Sequence, residues 1–215
     1  ATLEVMGEAD KRFRAQSLSF GFRDSVILAN SARVVIYQGN DSLTHPSMQM
    51  RYDFAKEKMT LSKDTSPLRR APFSSSFFGV DLNPDVVRWD LKSDSLSLTV
   101  NGSASVAPLV IESNDFYHPE DYDQLRGQGF SFHPLAVVVQ YAKNFNTQDF
   151  TVFDLVTPNR KLEQMKMAAD FLSQKGMILY DARTGKIHVK DKAIHVVDAL
   201  KGKADYDNMK IQSLA

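Results

Sequence analysis

The sequence predicts an α+β chain: an N-terminal antiparallel β domain over residues 1–128, a sandwich or stacked-sheet fragment, then a smaller α/β domain over residues 129–215. Three observations carry this. Residues 12–112 set β-branched and aromatic runs between Asp, Asn and Gly punctuation, as strands and turns do. From Pro134 the apolar period changes to the three-and-four spacing of helices. Between the two lies a polar connection from Ser113 to Phe132, and the boundary is placed near Gly127 to Gly129.

In order along the chain, Ser25 to Leu28 and Ala32 to Tyr37 read as two strands. Met48, Met50 and Tyr52 alternate with Gln49 and Arg51, the period-2 pattern of a half-buried strand. Residues 53–58 form a polar turn and Met59 to Ser62 returns. Residues 64–85 are a long connection whose aromatics, Phe73, Phe77 and Phe78, predict packing on the sheet. Val86 to Asp90, a turn, and Leu96 to Val100 repeat the hairpin, which Asn101-Gly102 closes with a pair suited to positive φ. Asp121 to Arg126 predict a short helical turn.

In the second half, Leu135, Val138, Val139, Ala142 and Phe145 share one helical face behind Pro134. Thr147 or Asp149 caps a short second helix with Val152, Phe153, Leu155 and Val156. Thr157-Pro158 restarts a third, with Leu162, Met165, Ala169 and Leu172 inward and Gly176 as its left-handed stop. Met177 to Asp181 and Lys186 to Lys190 predict a hairpin, and Ala193 to Leu200 a final helix. Arg51-Tyr52-Asp53, Arg88-Trp89-Asp90 and Leu179-Tyr180-Asp181 each put an aromatic and an Asp at a strand end. Their spacing has no fixed period, so shared turn chemistry explains them better than a repeat does.

At 215 residues, the chain has room for one large or two small domains. Hydrophobic residues at 43% rule out disorder of the whole chain. Lys+Arg and Asp+Glu are 26 each, which argues against a nucleic-acid coat or a polybasic membrane binder. The split is mild: net +3 over residues 131–215 and −3 before them. With no cysteine, disulfides, Cys-bound metal and Cys nucleophiles are excluded. No run approaches the roughly 18 apolar residues of a membrane span. The first residue is Ala1, which reads as a trimmed or processed start.

Helix, short helix, third helix and hairpin, in that order, resemble a winged-helix domain over roughly residues 133–199. In DNA-binding members the third helix enters the major groove and the hairpin wing touches backbone or minor groove. The resemblance implies a DNA face of Asn159, Arg160, Lys161, Lys166, Arg183 and Lys186. Against it, the same elements carry Glu163, Asp170 and Asp181, and phosphate contact needs uncancelled positive charge. Use as a protein-interaction or packing module suits this charge pattern better.

A second set of motifs covers more of the chain: Asp41-Ser42-Leu43-Thr44-His45-Pro46, Met50-Arg51-Tyr52-Asp53, Pro72-Phe73, Ser76-Phe77-Phe78-Gly79-Val80-Asp81, Trp89, Ile111-Glu112-Ser113 and His133-Pro134-Leu135. These are similar to a segment of long, poorly characterised proteins of Bacteroidetes-type bacteria. The resemblance implies a piece of a larger envelope-associated or exported protein. The compartment follows from it alone.

No catalytic constellation is legible. His45, His118 and His133 each precede Pro and read as loop entries, and no His pair has ligand spacing, so no metal or cofactor is expected. Acidic residues from Glu112 to Asp123 read as a solvated loop without the calcium-loop spacing. No nucleophile elbow, phosphate loop or dinucleotide fingerprint occurs. Phe73, Phe77, Phe78 and Trp89 offer a stacking surface for sugar or peptide, against the plainer reading of an aromatic core. The sequence thus leans away from an enzyme without excluding one. It favours a structural or protein-interaction segment with protein partners. Winged-helix DNA binding and carbohydrate or peptide binding stay open as alternatives.

Overall fold

The computed structural model describes residues 1–7, 10–100, 109–127 and 129–213. They form two units, Ala1–Ile111 with Ile211–Ala215, and Glu112–Lys210. The turn pair Asn101-Gly102 and Gln128 lie outside the described residues.

In the first unit, β1 (Thr2–Met6) pairs with β2 (Lys11–Ser17), and β3 (Gly21–Arg23) flanks the start of β4 (Val26–Gln38). Segments 25–28 and 32–37, expected as two strands, are one strand of 13 residues. It pairs along its length with β5 (Asp41–Asp53). Gly39, at φ +60°, turns this hairpin in two residues. Next come β6 (Lys58–Ser62), a single 3-10 turn over Pro67–Arg70, β7 (Phe73–Ser75) and β8 (Val80–Leu82). Then β9 (Val86–Asp90), β10 (Ser95–Thr99) and β11 (Leu109–Ser113) follow. The long connection expected over 64–85 therefore holds a hairpin of its own, β7–β8. Its strands have three residues each, too few to display an alternation in sequence.

One end of β4–β5 carries β3 on one side and β6, β9 and β10 on the other. The opposite end carries β2 and β1 on one side and β7 and β8 on the other. Phe13 on β2 is level with Ile36 of β4, and Trp89 on β9 is level, through Met59 and Tyr52, with Ile27. Nine residues of straight strand separate those levels by about 30 Å. Yet the Phe13 ring lies 5.0 Å from Tyr52 and 6.3 Å from Trp89, edge-on to both. The hairpin must therefore fold over, which turns one antiparallel sheet into two facing layers.

The register locates the bend. Ala29 pairs with Met50, Ala32 with Met48 and Val34 with His45. One extra residue thus sits on β4 between Ala29 and Ala32, and one on β5 between His45 and Met48. The first bulge would turn every later side chain to the wrong face, and the second restores the phase. Pro46 falls within the second, where its missing N–H breaks no ladder bond.

Asp64, 8% exposed, holds both bulges. Its Oδ2 accepts from the hydroxyls of Ser31 at 2.7 Å and Ser47 at 2.5 Å, and its Oδ1 accepts from the hydroxyl and amide of Ser66. Burial pushes its carboxyl up, but the bonds from Ser47, Ser31 and Ser66 outweigh this and hold it below the ordinary value. Beside it, His45 is 1% exposed: its Nδ1 accepts from Ser47 N–H and its Nε2–H donates to the Ala71 carbonyl. Burial lowers this ring to about 4.

Four hairpins share one turn. Four residues separate Asp53 from Lys58, Asp90 from Ser95 and Ser75 from Val80, and the last of each four has positive φ: Glu57, Asp94 and Gly79. In the first two, the aspartate side chain accepts loop amides, and the preceding aromatic, Tyr52 or Trp89, is buried. The fourth hairpin lies in the second unit.

That unit begins with α1 (Pro119–Gln124) and α2 (Pro134–Phe145), then β12 (Asp149–Thr151) and a single 3-10 turn over Val152–Leu155. It continues with α3 (Leu162–Gln174), β13 (Ile178–Asp181), β14 (Lys186–Val189) and α4 (Asp191–Leu200). β15 (Lys210–Ser213) returns beside β11. The three short strands order as β12-β14-β13. Asp181 repeats the aspartate turn, with Tyr180 buried before it and Gly185 at φ +73° after it. Leu135, Val138, Val139 and Ala142 are the buried stripe of α2. Phe145, expected on that stripe, is 63% exposed and lies against Tyr141 at the last position of the helix, before the left-handed Asn146.

Two helix starts differ from expectation. Thr151, not Thr147 or Asp149, is the N-cap of the 3-10 turn, where the Asp154 carboxylate accepts from both its amide and its hydroxyl. The third helix begins at Leu162 rather than behind Thr157-Pro158, because Thr157 and Arg160 exchange both backbone hydrogen bonds in a tight turn. Gln164 then receives the Lys161 amide.

Asp64→Ala is expected to destabilise the first unit by about 2–4 kcal/mol, since it strands three hydroxyls and an amide. Urea unfolding checks this, and an unshifted midpoint would remove Asp64 from its role at the bend. His45 makes a pH prediction. Its folded titration is depressed, so between about 6.5 and 4 the unfolded chain binds the proton that the folded chain refuses. Stability therefore falls as pH drops through that window, by about 3 kcal/mol for this group. His45→Gln is expected to flatten the slope relative to the unaltered chain.

Candidate functional site

Two surfaces bring charged and aromatic side chains together. In the first unit, an open cleft of about 830 Å³ is lined by the end of β1 (Val5, Met6, Gly7), by Arg12 of β2, by Tyr52, Phe54 and Glu57 around the β5–β6 turn, and by Leu91 and Lys92. Arg12 closes its wall. The guanidinium lies over the Trp89 ring, 5.1 Å from its centroid, and donates to Asp94 at 2.8 Å and to the Leu91 carbonyl at 3.1 Å. Asp94 also accepts from the indole N–H. Residues 77 to 82 positions apart thus meet, and no local sequence pattern announces them. Met6 and Phe54 stand 62% and 49% exposed at the rim.

The four stacking candidates part company. Phe73 and Trp89 are 2% and 3% exposed in the core, Phe73 against His45 and Trp89 under Arg12. Phe77 and Phe78 stand out on the β7–β8 turn, edge to face at 4.5 Å. Ser76 braces that turn by donating to Asp41 and accepting from the Ser42 amide.

The second surface is the outer side of α3 and the β13–β14 turn. Asn159 and Arg160 lie in the tight turn before α3, where Arg160 donates to the Thr157 hydroxyl. Lys161 is exposed at the helix start. Lys166 is paired with Glu163 at 2.9 Å, and Arg183 with Asp181 at 3.8 Å. Lys186 is exposed on β14 opposite Asp181. The outward stripe of α3 runs Glu163, Met167, Asp170, with Met167 62% exposed and burial raising the Asp170 carboxyl.

Several other titratable groups have structural partners. Lys192, 3% exposed on α4, forms an ion pair with Glu112 of β11, whose second oxygen meets Lys210 at 3.2 Å. His188 faces Asp149 across β12–β14 at 3.0 Å. Among the described residues, no group of three His, Cys, Asp or Glu could hold a metal ion, and no helix is long and apolar enough to cross a membrane.

Arg12→Ala is expected to uncover the indole of Trp89, the only tryptophan. Its emission should shift to the red, and stability should fall by about 1–2 kcal/mol. An unchanged emission maximum would mean that Arg12 does not cover the ring.

Compared with protein-family models, curated proteins and solved structures, the chain matches none.

Proposed function

We propose that this chain is a non-enzymatic interaction segment of a larger envelope-associated or exported protein, and that its C-terminal part is a winged-helix-like module turned to protein contact. Support for the module is the succession α2, β12, 3-10 turn, α3, β13, β14 with strand order β12-β14-β13. Placement in a larger protein rests on the sequence resemblance alone.

The observation that carries the interaction reading is the outward stripe of α3. In the DNA-binding use of such a module this helix enters the major groove between two phosphate backbones, a strongly negative setting that demands positive charge. Here its centre is acidic, apolar, acidic, and the neighbouring Lys166 is already engaged by Glu163. An exposed methionine flanked by carboxylates suits a protein surface, where a thioether adapts to irregular apolar neighbours. A specific observation also favours the carbohydrate or peptide alternative: the exposed Phe77–Phe78 pair on its braced turn.

Two measurements separate these readings. Fluorescence anisotropy with duplex DNA at about 50 mM salt is expected to show no binding at micromolar protein. Salt-sensitive binding weakened by Lys161→Ala and Lys186→Ala would install the DNA reading instead. A photocrosslinking residue substituted for Met167 in the producing cell is expected to give a discrete protein adduct. Adducts to nucleic acid alone, or none, overturn the proposal.

A further inference from the structure

The chain has three His-Pro pairs, and two of them put the imidazole to the same use. At His45-Pro46, Nδ1 accepts from the Ser47 amide, two residues on, at 3.1 Å, and Nε2 donates to the Ala71 carbonyl at 2.7 Å. At His133-Pro134, Nδ1 accepts from the Ala136 amide, three residues on, at 3.4 Å, and Nε2 donates to the Tyr122 carbonyl at 3.2 Å. In each, a ring before a proline takes up an amide just past it and ties down a distant carbonyl. His133 thereby caps α2 and fastens α1 to it.

Both arrangements require one protonation state. A nitrogen that accepts an amide carries no proton, so the ring is neutral with its hydrogen on Nε2. An imidazolium presents N–H on both sides, and Nδ1–H would then face the Ala136 N–H. A cation at the N-terminus of α2 is also disfavoured by the helix dipole. The two histidines differ in access. His45 is sealed at 1% exposure, so a proton reaches it only when the first unit opens. His133 is half-buried, stacked on the Tyr122 ring at 4.4 Å and 21°, and takes a proton in place.

We propose that His133 is an acid-operated latch on the first turn of α2: protonation puts a hydrogen on Nδ1 against the Ala136 amide, which loses its cap so that the turn loosens, while Nε2–H keeps its bond to the Tyr122 carbonyl and the matching His45 staple stays shut. The charged groups acting on the ring are Arg126, which opposes the cation, and Asp123, which favours it; both lie on α1 or the turn that follows. Tyr122, the stacking partner, is held above its ordinary titration by burial and stays neutral at acid pH. Burial sets His133 below the ordinary histidine range, so release occurs on the acid side of neutrality.

Hydrogen exchange on the full chain between about pH 7 and 5, corrected for intrinsic rates, tests this. Protection of the Ala136 amide is expected to fall by up to about tenfold per pH unit once His133 titrates, with Tyr122, Leu125, β4 and β5 unchanged. In His133→Asn it should stay flat, because asparagine caps a helix at every pH. An equal loss in the variant overturns the proposal. Nitrogen NMR of the unaltered protein is independent of whether the variant folds. It should show both His45 and His133 as Nε2–H tautomers at neutral pH, with His133 titrating before His45 as the pH is lowered. A Nδ1–H tautomer at His133, or joint titration of the two, sinks the latch.

Discussion

One carboxylate organises the first unit. Asp64 accepts four hydrogen bonds from Ser31, Ser47 and Ser66, and two of those serines flank opposite bulges of the long β4–β5 hairpin. The contacts that define the core follow from the bend. Phe13 meets Tyr52 and Trp89 only because the hairpin folds, and Arg12 reaches Asp94 for the same reason. Small side chains at Ala15, Ala29 and Ala32, all buried, let the backbones approach there. Polar groups at the fold are compensated locally: Ser17 donates to the Ser31 carbonyl, which the bulge takes out of the ladder.

The second unit relies on α2, whose buried stripe serves α3, α4 and β14. Several of its charges are paired internally. Glu112 engages two lysines, Asp198 engages Lys143, and Asp181 engages its own turn. Met167, Phe153 and Val156 stay exposed.

Much of this was legible in the sequence where its cause is local. The period change at Pro134, the return of Met59 to Ser62 and the stop at Gly176 each rest on neighbours in the chain, and the structure places them as read. The three aromatic–Asp pairs are indeed one turn chemistry. What escaped was set by distant partners. Ser25 to Tyr37 reads as two strands because bulging residues interrupt its apolar pattern, yet β5 holds it as one. Thr157-Pro158 has a helix-start signature, but the turn with Arg160 takes up the amides first. In the candidate sites, the exposure of Phe77 and Phe78 and the burial of Phe73 and Trp89 depend on the fold-over, which no window of sequence contains.

The paired bulges also bear on how such a chain can change over time. Inside and outside along β4 and β5 are a matter of parity, and the hairpin carries one odd step on each arm. A single-residue insertion or deletion in either arm inverts the buried and exposed sets of everything between that point and the Gly39 turn. A matched change on the opposite arm cancels it. Length in this stretch is therefore free to drift only in compensated pairs, whereas the serines that meet Asp64 can be exchanged one at a time for other small donors.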